Sequence, residues 1–177
     1  MKKLLLVATL MLAGLASQAQ NYLGGSVGFM RDLSSHESNF TLAPEFGYTY
    51  SEHWGVGITL NYLYKNYTGS ISNSFAFSPY ARWTFAKVAD EKLHFFLDGG
   101  FLFGFTKSTG VNTGIFYNIG LKPGISYSFN EHWCILTHLG FVGYEGSDRI
   151  AESLGYHRKF GLDFSSMNVN LGVYYTF

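Results

Sequence analysis

The chain has 177 residues, a formal net charge of zero, 14% charged residues, 19% aromatics and a single cysteine. That length suits one domain, the charge balance argues against a nucleic-acid partner, and one Cys excludes an intramolecular disulfide framework. Ordinary soluble domains carry about 25% charged residues, so the deficit points toward lipid.

Lys2-Lys3, an apolar run from Leu4 to Leu15, and Ala16-Ser-Gln-Ala19-Gln20 have the form of a secretory signal peptide cleaved after Ala19. The run falls short of the roughly 20 apolar residues a helical span needs. The expected organisation is a signal over 1–19 and one domain over 20–177. No long apolar segment follows, which disfavours a helical membrane protein.

Period-two alternation then predicts eight strands. The first, 22–30, sets Leu23, Val27 and Phe29 against Gly24, Ser26 and Gly28. A polar loop leads to the second, 40–50, and a turn at Ser51-Glu52-His53 opens the third, 54–64. The fourth and fifth, 74–85 and 93–105, flank a turn around 87–92, and the fifth presents Leu93, Phe95, Leu97, Phe101, Phe103 and Phe105 on one face. The sixth, 114–129, turns at Asn130-Glu131-His132 into the seventh, 133–144. The longest loop, 145–163, precedes an eighth strand ending at Phe177. Long and short connections alternate, and an even count puts both termini on one side.

One phrase recurs on the even strands: Pro44-Glu-Phe-Gly-Tyr-Thr-Tyr50, Pro79-Tyr-Ala-Arg-Trp-Thr-Phe85, Pro123-Gly-Ile-Ser-Tyr-Ser-Phe129 and Leu171-Gly-Val-Tyr-Tyr-Thr-Phe177. Two copies run on into Glu52-His53-Trp54 and Glu131-His132-Trp133. Trp54, Trp83 and Trp133, with Tyr48, Tyr50, Phe85, Tyr127, Phe129, Tyr175 and Phe177, form a predicted aromatic girdle beside the short turns. Each Pro removes a ladder hydrogen bond, so local bulges are expected at all three.

Beyond the signal, the charges outside loops and turns are Glu45, Arg82, Asp98 and Lys122, all opposite the bulky apolar face. A lipocalin-like soluble barrel would reverse that arrangement. The pattern therefore predicts an all-β, eight-stranded antiparallel transmembrane β-barrel whose narrow lumen is filled by side chains. Glu45, Arg82, Asp98 and Lys122, joined by His94 and His138, are the expected lumen polar cluster. It reads as a structural plug, with a gate or selectivity element as the alternative.

Asp32, His36, Glu37 and Ser38 in the first loop, with Asp148, Glu152, Ser153 and His157 in the last, hold the ingredients of a rim hydrolase. Polar loops carry such residues in any case, so no catalytic, cofactor or metal residue is assigned and no enzyme activity is expected. Tyr156, Phe160 and Leu162 make loop 145–163 the candidate for contact with an extracellular ligand.

Signal, eight-strand pattern and terminal aromatic together resemble the OmpA/OmpX-type small outer-membrane barrels, particularly the outer membrane protein β-barrel domain or porin family of Bacteroidota. The resemblance implies a Gram-negative outer membrane and periplasmic termini, and fixes fold and location but not activity. The reading of the residues beside it is a monomer among outer-membrane lipids with a structural or surface-interaction role. The resemblance also implies that Tyr175 and Phe177 form the signal read by the barrel-assembly machinery. A narrow channel for ions or small solutes is the alternative.

Overall fold

The structure, a computed structural model, describes residues 20–32, 37–67, 70–164 and 170–177; the expected signal lies outside them. Alternating bulky and small residues build the strands β1 (Gln20–Asp32), β2 (Glu37–Thr49), β3 (Trp54–Tyr67), β4 (Ser70–Val88), β5 (Leu93–Ser108) and β6 (Gly114–Ser128). There follow β7 (Trp133–His138), β8 (Phe141–Ser147), a short helix α1 (Arg149–Ser153), β9 (Lys159–Asp163) and β10 (Asn170–Thr176).

Each strand from β1 to β6 pairs antiparallel with the next. β6 then pairs with both β7 and β8, β8 with β9, β7 with β10, and β10 with β1. Taken as two interrupted staves, β7–β8 and β9–β10 close a ring of eight. Closure pairs Tyr22–Gly25 of β1 with Val173–Thr176 of β10, so the backbone along that seam is satisfied within the ring.

Three expectations need correction. Strand seven is not continuous, because it breaks at Leu139-Gly140 opposite Pro123. Leu139 N donates to Pro123 O at 2.9 Å, but proline has no N–H to return. The register slips there: Leu121 faces Val142 while Gly124 faces His138, four steps against three.

The second concerns the other prolines. Pro44 and Pro79 do not cause bulges, for the ladder resumes in register beyond each, Leu42 on Tyr62 then Glu45 on Thr59, and Phe77 on Phe103 then Tyr80 on Gly100. One missing donor deletes one bond without inserting a residue. The bulge in β4 falls instead between Thr84 and Ala86.

The third concerns loop 145–163, which is largely regular structure: the end of β8, α1 and β9. Asp148 caps α1, accepting from Ala151 N at 2.7 Å and, through its other oxygen, from Ile115 N at 3.0 Å. Ala151 is fully buried and holds the helix against β6 at Gly114.

The outer face is apolar, with Leu23, Leu42, Phe46, Ile58, Leu60, Phe101, Ile119, Leu121 and Val173 all exposed. At the short-turn end Trp54 stacks on Trp83 with centroids 6.3 Å apart, and Trp133 meets Tyr175 edge-on at 5.0 Å. The duplicated Glu-His-Trp turns do the same work twice. His53 Nδ1 donates to Thr84 O at 3.0 Å and receives Thr84 N–H on its own carbonyl at 2.7 Å. His132 and Thr176 repeat both bonds at the same lengths. Thr84 and Thr176 are each the sixth residue of a phrase copy, so turn and phrase act as one unit that locks a hairpin to the next stave.

Candidate functional site

The inward face is built from glycines and aromatics set directly opposite one another. Tyr22 faces Gly47, Tyr174 faces Gly24, Tyr80 faces Gly57, Phe96 faces Gly124 and Phe116 faces Gly104. In each pair the ring covers its glycine, so that a Cβ added there would enter the ring. Small residues thus serve as seats for large ones, and an eight-strand lumen is filled.

Between these rings lie the charges. Arg82 reaches Asp98 with two parallel bonds, Nε to Oδ1 and Nη2 to Oδ2, each 2.7 Å. Its Nη2 also approaches Glu45 Oε1 at 3.4 Å. His138 Nε2 donates to Asp98 Oδ2 at 2.8 Å. Glu45 accepts from Tyr174 Oη at 3.0 Å, from Thr59 Oγ1 at 3.3 Å and from Tyr80 Oη, which lies 2.6 Å from Tyr22 Oη. The guanidinium sits 4.3 Å from the Phe96 ring centre, within cation–π range. Charges removed from water need this density of partners to be tolerated.

Glu45, Arg82, Asp98 and His138 are therefore brought together. Lys122 lines a neighbouring void of 30 Å³ with Asp98, Glu45 and His138, room for about one or two waters. It makes no direct hydrogen bond or ion pair among the described residues. His94 is not in the cluster, for it opens β5 at the short-turn mouth and bonds the Glu91 carbonyl at 2.6 Å. Parity had fixed its face but not its depth.

The plug separates two vestibules. One of 720 Å³ at the short-turn end has Arg82, Phe96, Tyr22 and Tyr174 among its lining residues. The other, 390 Å³ at the long-loop end, runs between Asn61, Leu63, Leu102, Asn118 and Tyr156. Asp98 lies on the far side of Arg82, facing the middle void.

The expected cluster holds no aromatic residue, and the structure adds Tyr22, Tyr80, Phe96 and Tyr174 around its charges. The available signal is an inward-parity aromatic paired across from glycine. Loop four contributes another, Tyr156, whose hydroxyl donates to Ser74 at 2.9 Å while its ring stacks on Phe116 at 4.0 Å. Burial pushes the Tyr156 phenol up from its ordinary pKa.

Of the hydrolase ingredients, Asp148 caps α1, Glu152 pairs with Arg158 at 3.0 Å, and Ser153 Oγ donates to Ile150 O at 2.7 Å. His157 borders the long-loop vestibule. The side chains of Asp32, His36 and Glu37 lie outside the described residues; Ser38 sits on β2 facing Asn66. Among the described residues no three His, Cys, Asp or Glu side chains converge as metal ligands do. The girdle residues Tyr50, Trp54, Trp83, Phe129 and Trp133 are all exposed at the short-turn end.

The seating of rings on glycines yields a direct prediction. A methyl at Gly57 would collide with Tyr80, which Glu45 and Tyr22 hold in place, whereas one at Gly28 meets only Thr41 at 3.7 Å. Gly57→Ala is expected to cost about 1–3 kcal/mol by overpacking, and Gly28→Ala much less. Urea unfolding of the two variants from vesicles checks the difference.

Fold and site together define a closed eight-stranded antiparallel barrel with a charged, aromatic-packed plug. No family model and no curated protein matches the chain.

Proposed function

We propose that this chain is an integral outer-membrane β-barrel with a side-chain-filled lumen, serving a structural or surface-interaction role without catalysis. The segregation of faces carries the reading. Glu45, Arg82, Asp98 and Lys122 turn inward, while Leu, Val, Ile and Phe stand exposed around the outside. In water such an exterior promotes aggregation; in hydrocarbon it is the required surface, and the closed ring pairs the backbone internally. On this reading the short turns and termini are periplasmic, loop four is extracellular, and the girdle aromatics sit at the headgroups. The resemblance to small outer-membrane barrels agrees with it.

Neighbouring residues on β3 test the reading. Leu60 points out and Asn61 lines the lumen. In vesicles, a spin label at 60 should be quenched by a lipid-soluble reagent and one at 61 should not. The reverse would overturn the face assignment. Leu60→Arg is expected to cost about 2–4 kcal/mol if the position is near the bilayer midplane.

A second reading, a narrow channel, is favoured by the thinness of the plug: a single layer around Arg82 parts the 720 Å³ vestibule from the middle void. Planar-bilayer recording separates the two. A structural barrel stays silent, and reproducible unitary steps would favour the channel.

A further inference from the structure

The long-loop vestibule has features that a passive lumen does not require. Its 390 Å³ lies within the roughly 300–1,000 Å³ of small-molecule sites. Asn61 and Asn118 face it from β3 and β6, and neither side-chain amide has a hydrogen-bond partner among the described residues. Two such amides offer both donors and acceptors toward one space. Leu63, Leu102 and the stacked Phe116–Tyr156 pair supply apolar wall.

The roof is constructed. Tyr156 is fixed by its hydroxyl to Ser74, by its ring to Phe116, and by its carbonyl, which accepts from Ser147 Oγ at 2.8 Å. Arg158 adds a bond from Nε to Ser147 O at 3.0 Å. Charge does not dominate the space, because Lys159 is held by Glu145 at 3.0 Å and by Asp163 at 3.5 Å.

We propose that this vestibule binds one neutral, pyranose-sized sugar ring, its hydroxyls or acetamido group on Asn61 and Asn118 and its C–H face against the apolar wall. An acyl chain would leave both amides unpaired, at a desolvation cost. An anion would find Lys159 already neutralised. A hydroxylated ring with an apolar face meets both halves of the wall. The site is formed by β2 to β6 and loop four, and does not depend on what surrounds the barrel.

N-acetylglucosamine is a suitable probe, since its acetamido group offers the complement of an Asn amide. The full barrel, ¹⁵N-labelled and folded in detergent micelles, is titrated while side-chain amide resonances are followed. Saturable shifts at Asn61 and Asn118, with Asn130 at the opposite end unmoved, are expected. Asn118→Ala should weaken binding by about tenfold, the loss of one hydrogen bond. Ser128→Ala, in the other vestibule, should leave it unchanged. Should Asn118→Ala fail to give heat-modifiable barrel, Asn61→Ala reads the same loss. Absent shifts, shifts that rise linearly without saturating, or an equal response to cyclohexanol would each overturn the proposal.

Discussion

Arg82→Ala is expected to destabilise the barrel by about 3–5 kcal/mol, the range for breaking a buried ion pair by removing one partner. Arg82 and Asp98 keep only 13% and 5% of their side-chain surface exposed, so the pair is largely removed from water. Among the described residues, loss of the guanidinium leaves Asp98 with His138 alone and Glu45 with its hydroxyl partners but no cation within 4 Å. The cation over Phe96 disappears as well. Arg82→Lys should recover only part of the loss, since an ammonium cannot form the paired bonds to both oxygens of Asp98. The sharper measurement is a double-mutant cycle. Removing Asp98 together with Arg82 takes away the orphaned charge, so the double variant should cost clearly less than the two single changes summed. Unfolding by urea from vesicles gives all three values, and additivity would show that the pair is not coupled.

The elements of this plug were unequally legible. Period two assigns every mid-strand charge to its face, because a one-residue slip would turn the whole apolar set inward. Glu45, Arg82, Asp98 and Lys122 were accordingly visible in the sequence. Depth along the stave was not: His94 shares their parity but sits at the mouth, bonded to the Glu91 carbonyl. Tyr22, Tyr80, Phe96 and Tyr174 share the parity of the charges. Their role depends on which glycine lies across from each, and that is fixed by inter-strand register. Alternation shifts phase just past the break at Leu139-Gly140, where Phe141 and Val142 are consecutive apolar residues and the exposed face moves from odd positions to Tyr144, but it does not give the cause. There the deciding fact is Pro123 on the neighbouring strand. In loop four, polar composition concealed a capped helix whose stability comes from Ala151 packing on Gly114, a contact between residues far apart in sequence.

Phe177→Ala should lower the yield of folded barrel in cells far more than Phe129→Ala does, although the two residues are matched in structure. Both end a copy of the repeated phrase, and both are exposed, at 65% and 57%. Phe177 packs edge-on against Tyr175 with centroids 5.1 Å apart, and Phe129 against Tyr127 at 5.5 Å. Either substitution removes one such pair from the exposed outer face, so the intrinsic losses should be similar. Both keep their backbone bonds, Phe177 N to Asn21 O and Phe129 N to Trp133 O, each 2.9 Å. What differs is position. Phe129 leads directly into a hairpin, whereas Phe177 follows β10, the strand that must find β1 and close the ring. That seam pairs Tyr22–Gly25 with Val173–Thr176, and Gly24 and Gly25 give β1 weak strand propensity of its own. A strand delivered in the wrong register would leave backbone groups unpaired in hydrocarbon. If an assembly factor presents β10 by gripping its terminal aromatic, Phe177→Ala fails at that step and Phe129→Ala does not. Heat-modifiable barrel measured in cells reads the difference, and refolding in detergent without the factor should bring the two variants level. Equal losses in cells would reduce Phe177 to one more girdle residue.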